Sequence, residues 1–123
     1  MEKIFTEKAP AAIGPYSQAV KVGNMVYTSG QIAINPANGN VEADTIEGQT
    51  HQVCKNLSEV LKASGSCLEK VVKTTCFLSN MDDFADFNDV YAQYFTSKPA
   101  RSCVAAKALP KGVMVEIEVI AET

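Results

Sequence analysis

Two runs of apolar and β-prone residues, 17–22 and 25–32, flank the dipeptide Gly23-Asn24. Both turn residues tolerate positive φ, so the pattern predicts a β-hairpin with a two-residue turn. Ahead of it, residues 9–16 carry Pro10 and Pro15, which disfavour helix and central strand alike and mark an irregular lead-in. A short strand is expected around Ile4 and Phe5. Residues 35–40, Asn-Pro-Ala-Asn-Gly-Asn, are dense in turn formers. The period then changes: Val53, Leu57, Val60, Leu61 and Ser64 recur at helical spacing. A helix is predicted to open near Asp44, with Asp44 and Glu47 spaced as a capping box, and to stop at Gly65. Residues 71–78 read as a strand, with Val72, Cys76 and Leu78 on one face. A second helix opens around residues 80–83 with an apolar stripe of Phe84, Phe87, Val90, Tyr91, Tyr94 and Phe95. Acids at its start suit the positive end of the helix dipole. Pro99 marks a break. Two strands, 101–109 and 113–121, are then expected to form a hairpin around Pro110-Lys111-Gly112.

This order predicts an α+β fold: a single mixed β-sheet of about six strands with two helices on one face. The other face must be polar or covered by another subunit. Along the final strand Val113, Val115, Ile117, Val119 and Ala121 share one face, while Met114, Glu116, Glu118 and Ile120 share the other. The second set mixes apolar side chains with carboxylates, which points to a face that meets neighbouring copies, with a site along the seam.

At 123 residues the chain has room for one domain, taken as 1–123. Its 46% hydrophobic and 20% charged content excludes a disordered chain. The net charge is −3 and no three basic residues are consecutive, so no nucleic-acid partner is expected. No apolar run approaches the roughly 20 residues that cross a bilayer, so no membrane partner is expected either. Cys54, Cys67, Cys76 and Cys103 form no C-x-x-C pair and His51 is the only histidine, which leaves a zinc site without ligands. The cysteines are read as reduced thiols. The first eight residues hold two acids and no arginine, unlike a transit peptide. The expected location is cytoplasmic, the alternative being the mitochondrial matrix after removal of a presequence.

Arg101 is the most informative charge. It begins a strand of small and apolar residues, where a guanidinium suits bidentate recognition of a carboxylate. An arginine tied to a structural Asp or Glu is the competing reading. Glu116 is the natural partner in either case, on the neighbouring strand of the expected hairpin, and is placed to orient or deprotonate a water. Cys103 shares the face of Arg101 and is read as a small packed thiol rather than a nucleophile. His51 is read as a surface helix residue. Tyr16 either closes a pocket or packs at an edge. Gly30 falls inside a predicted strand, which fits a backbone that something approaches closely, and no phosphate-loop pattern surrounds it. Asn88, mid-helix, is a ligand contact or a solvated position.

Several blocks together resemble one family. Residues 99–104 (Pro-Ala-Arg-Ser-Cys-Val), 108–110 and 115–118, with 9–19, 28–32, 72–75 and 84–88, match in order and spacing the Rid/YjgF reactive-imine deaminases, RidA-type. The resemblance implies a chorismate-mutase-like fold, a homotrimer with pockets between subunits, and no cofactor. It implies hydrolysis of 2-aminoacrylate-type enamines and 2-imino acids (2-iminobutanoate, 2-iminopropanoate), released by pyridoxal-phosphate-dependent dehydratases, to 2-oxo acids and ammonia. Carried over, Arg101 clamps the substrate carboxylate and Glu116 orients the water and shuttles its proton. Tyr16 and Asn88 line the pocket; Gly30 and Cys103 offer backbone groups. The segment 95–98 is shorter than in many bacterial relatives, and Lys98 stands where an aromatic often precedes the proline, which alters one pocket wall. The alternative is a non-catalytic, small-acid-binding or chaperone-like member of the same fold.

Overall fold

The computed structural model describes all residues, 1–123. In chain order the elements are β1 (Glu2–Ile4), β2 (Ala19–Val22), β3 (Met25–Thr28), β4 (Ile34–Asn35), β5 (Asn40–Val41), α1 (Ile46–Ala63), β6 (Val71–Leu78), α2 (Phe84–Tyr94), β7 (Ala100–Ala105) and β8 (Val115–Glu122). Six strands form one sheet in the order β1-β2-β3-β8-β6-β7, and β4 and β5 form a separate small ribbon around the 35–40 turn. The sheet is mixed: β6 and β7, joined through the α2 crossover, run parallel, and the other neighbours are antiparallel.

The β2–β3 hairpin forms where expected, with Val22 opposite Met25. Only Gly23 takes a positive φ, 60°, so the turn uses its glycine at the first central position and Asn24 stays in the ordinary region. The start of α1 differs from the sequence reading. Thr45, not Asp44, is the N-cap: its backbone is extended and its Oγ1 accepts the Gly48 N–H at 3.1 Å. Glu47 therefore falls one place early, and the reciprocal half of a capping box is impossible because the third helical residue, Gly48, has no side chain. Thr45→Ala should lower stability by about 1 kcal/mol, read as an earlier urea midpoint with an unchanged slope. The other end follows expectation. Gly65 takes φ 80°, and the Gly65 and Ser66 N–H groups close back onto the Lys62 and Leu61 carbonyls at 3.1 and 2.8 Å.

Val53, Leu57, Val60 and Leu61 of α1 and Phe87 of α2 are fully buried against Leu78, Val115 and Ile117 of the sheet. Both helices thus cover one sheet face. The β6 pattern needs one correction. Val72 is exposed, and Val71 is buried in its place, because the register with β8 slips between Val71 and Lys73. A bulge turns the side chain that simple alternation had assigned inward. From Thr74 onward alternation holds, and Thr74, Cys76 and Leu78 face the helices.

The last two strands do not form a hairpin. β6 lies between β7 and β8, pairing parallel with one and antiparallel with the other. The Pro110–Gly112 stretch is a 3₁₀ turn within a connection that passes over β6. β7 ends at Ala105, leaving residues 106–109 outside the sheet. β7 is an edge strand. On the sheet face away from the helices, Tyr27 and Val104 are exposed, Glu116 and Ile120 are half-buried, and Glu118 is exposed. No helix is long and apolar enough to cross a membrane.

Candidate active site

Arg101 stands on β7 opposite Thr74, so its side chain projects to the helix-covered face beside α2. Its Nη1 donates to Asn88 Oδ1 at 2.6 Å. The guanidinium carbon lies 4.7 Å from the Tyr91 ring centroid and 5.4 Å from that of Phe84. Phe84, Asn88, Tyr91 and Phe95 follow one another at four-, three- and four-residue spacing, so one stripe of α2 supplies the whole cradle. Tyr91 is itself anchored, its hydroxyl 2.8 Å from Thr74 Oγ1 and its ring stacked on Phe95 at 4.4 Å. Two aromatic rings and one amide oxygen hold the guanidinium in position and leave most of its donors unused.

The only ion pair in the protein joins Lys62 to Glu59. Arg101 therefore has no carboxylate partner within its own chain. It opens instead onto a cavity of about 550 Å³, bounded by Asn88, Tyr91, Phe95, Lys98 and Pro99. Asn88 is a wall of this cavity and a direct partner of the arginine, not a solvated residue.

Cys103 lies two residues beyond Arg101 on the same face, opposite Cys76 and half-buried. Burial pushes its thiol above the usual range, and nearby Arg101 only partly offsets that. Burial takes Cys76 to about 12 and raises Cys54 as well. These are packed thiols, not thiolates. His51 is half-buried rather than at the surface, its Nδ1 2.7 Å from the Tyr94 hydroxyl.

Glu116 belongs to the other sheet face, since its strand neighbours Val115 and Ile117 are buried under the helices. Burial, and secondarily the nearby Glu118 carboxylate, raise its pKa above the usual carboxylate value. Gly30 lies directly beneath it. A Cβ on Gly30 would fall 2.8 Å from Glu116 Cδ and overlap a carboxylate oxygen. Gly30 is not inside a strand, as the sequence pattern had placed it. β3 ends at Thr28, whose hydroxyl accepts the Val119 N–H at 3.0 Å, and pairing with β8 resumes at Gln31, which bridges Ile117. The glycine sits in the irregular step between, where the close approach comes from Glu116.

Tyr16 is 54% exposed and stands just before β2, in a shallow groove with Met1, Lys3, Ser17 and Val20. The structure thus brings together Arg101, Asn88 and Cys103, and separately Gly30 and Glu116, while Tyr16 stands apart. β2 is four positions from β7 in the sheet, roughly 19 Å, and β8 is two positions from β7, roughly 10 Å, at about 4.8 Å per strand. Glu116 and Arg101 also point to opposite faces, so Glu116 is not the arginine's neighbour in one chain. The sequence reading missed the roles of Phe84, Tyr91 and Glu118. The two aromatics were counted as core, although Asn88 in the middle of their stripe was a signal that this helix face carries a polar ligand.

A sequence model of the family described as Endoribonuclease L-PSP matches residues 6–123. Reactive Intermediate Deaminase A, chloroplastic, of Arabidopsis thaliana is 49% identical over 98% of this chain and 65% of that protein. The structure of YyfA of the conserved Rid protein family from Yersinia pestis superposes with a TM-score of 0.96 at 50% identity, covering 99% of this chain and 98% of that one. The structure of E. coli TdcF with bound serine superposes with a TM-score of 0.95 at 41% identity, covering 100% of this chain and 99% of that one. With a family match over nearly all of its length and the same two-helix, six-stranded mixed sheet, this chain belongs to the L-PSP family, that is, the Rid/YjgF family.

Proposed function

We propose that the protein is a 2-iminobutanoate/2-iminopropanoate deaminase, hydrolysing 2-imino acids and their enamine tautomers to 2-oxo acids and ammonia, and that it works as a homotrimer. The observation that carries this is Arg101: a guanidinium held by Tyr91, Phe84 and Asn88, without a carboxylate partner in its own chain, at the mouth of a cavity. The serine bound to TdcF and the name of the Arabidopsis relative point the same way.

The chemistry asks little beyond placement. An imine carbon is already electrophilic, so the protein must hold the acid end, position a water and carry that water's two protons in turn to nitrogen. Two donors of Arg101 take the substrate carboxylate in fork geometry. Glu116 accepts a proton from the water as its oxygen adds to the C=N carbon. Returned to nitrogen, that proton completes the neutral carbinolamine; Glu116, ionised again, then takes the hydroxyl proton and passes it to nitrogen, so that ammonia leaves as the C=O bond of the 2-oxo acid forms. A carboxylate of raised pKa suits both halves, because it is basic enough to accept and acidic enough to return. Since Glu116 and Arg101 face opposite ways in one chain, the reacting pair comes from two copies. The Glu116 face of one copy covers the Arg101 edge of the next, bringing Gly30 and Tyr16 with it.

RNA cleavage is disfavoured by the net charge of −3 and the absence of any run of three basic residues, which leave little electrostatic attraction for a polyanion. The test uses imine generated in place by a pyridoxal-phosphate-dependent dehydratase from serine or threonine. Ammonia should appear faster with protein than without; equal rates would overturn the deaminase. Gly30→Ala should cut that activity by about 10- to 100-fold, as a misplaced catalytic group does, while the urea midpoint shows the sheet still folded.

A further inference from the structure

We propose that Lys98 selects substrates in the Arg101 cavity, favouring 2-imino acids whose side chain carries a second carboxylate. We rest this on the deaminase reading and extend it to a substrate class. Lys98 and Arg101 border the same cavity, which within one chain is lined by neither Asp nor Glu. One cation suffices to hold the carboxylate next to the imine carbon. The second has no protein counterpart, because the single ion pair of the molecule is Lys62–Glu59. The rest of the wall, Tyr91, Phe95 and Pro99 with the Thr96 hydroxyl, offers nothing negative either.

The backbone holds Lys98 in place. Its φ is 56°, in the left-handed region that costs a lysine about 1 kcal/mol, and its N–H closes a turn onto the Phe95 carbonyl at 3.2 Å. Phe95 is buried, and Pro99, the next residue, has its own φ fixed by its ring. The Lys98 Cα is therefore pinned at the rim between two anchored residues, and only the side-chain stem moves. With the reacting carboxylate on Arg101, a substituent lying along the wall meets the Lys98 ammonium. A second carboxylate gains an ion pair there, and an alkyl group gains nothing from it. The reaction is otherwise unchanged: a 2-imino diacid and water give a 2-oxo diacid and ammonia, with no change of oxidation state.

The test is titration calorimetry with 2-oxoglutarate and 2-oxopentanoate, five-carbon acids that differ in the second carboxylate. It reads binding without turnover, so its outcome is separate from that of the hydrolysis assay. Lys98 is exposed, so the expected preference for the diacid is that of a partly screened pair, about threefold, falling toward one as salt rises from about 50 to 500 mM. Lys98→Gln should bring the ratio to near one and Lys98→Glu should invert it. A wild-type ratio of one or less overturns the role of Lys98, as does a preference that survives Lys98→Gln. Protein that hydrolyses small imines yet shows either result would lose the selection while keeping the deaminase. Protein that binds neither acid would lose the selection as well, the deaminase reading standing or falling on the hydrolysis assay alone.

Discussion

Arg101→Ala is expected to lower kcat/KM for 2-iminobutanoate by about 10²- to 10⁴-fold. Hydrogen bonds between charged groups contribute roughly 1.5–3 kcal/mol each, a fork makes two of them, and each 1.4 kcal/mol is about tenfold. The aromatic cradle sharpens the expectation. Tyr91 and Phe84 at 4.7 and 5.4 Å and the Asn88 bond at 2.6 Å hold the guanidinium before substrate arrives, so little ordering remains to be done on binding. Arg101→Lys should recover only part of the loss, since an ammonium can neither fork nor stack in that cradle. Steady-state ammonia release checks both variants. Because Arg101 holds no structural carboxylate, the thermal midpoint should move little in either. A large fall in activity accompanied by unfolding would point to a structural arginine instead.

Glu116→Gln is the second large effect, an expected loss of about 10²- to 10⁴-fold in kcat, the usual contribution of a positioned acid–base group. It should also change the pH profile. The group must be ionised to take a proton from water, so the wild-type rate rises with pH through the Glu116 pKa and then levels. Burial, followed by the Glu118 carboxylate, raises that pKa, so the midpoint lies above the roughly 4.3 of an unperturbed glutamate. Glu118→Gln removes the repulsion and should move the limb downward while keeping it. Glu116→Gln should abolish it. A limb at the same pH in all three proteins would assign the titration to another group.

The sequence revealed those parts of the fold that depend on local periodicity. The α1 stripe Val53, Leu57, Val60 and Leu61, the Gly65 stop and the inward face of β8 all follow from spacing alone, and all are buried or closed as expected. What it hid were register and pairing. Alternation cannot show a bulge, so Val72 was assigned inward. Two β-prone runs around a short turn look like a hairpin whether or not a third strand lies between them, so β7 and β8 were read as neighbours. That second error mattered for the site, because it placed Glu116 beside Arg101 when β6 and the thickness of the sheet separate them. Asn88 was ambiguous for a different reason: a lone amide on a helix takes its meaning from the arginine it accepts from, which lies on another element. Gly30 carried the right signal, a backbone needing close approach, while the group that approaches it comes from β8.

The proposal of a site shared between copies is tested most directly by mixing. Arg101→Ala and Glu116→Gln chains, each inactive alone, are unfolded together, refolded at equal ratio and assayed for ammonia release. If the protein is the proposed trimer and the arginine of one copy works with the glutamate of the next, every mixed ring of three regains one intact site, and random assembly restores about a quarter of the wild-type rate. A mixture as inactive as its separate components, from chains shown to have co-assembled, would contradict a site built from two copies.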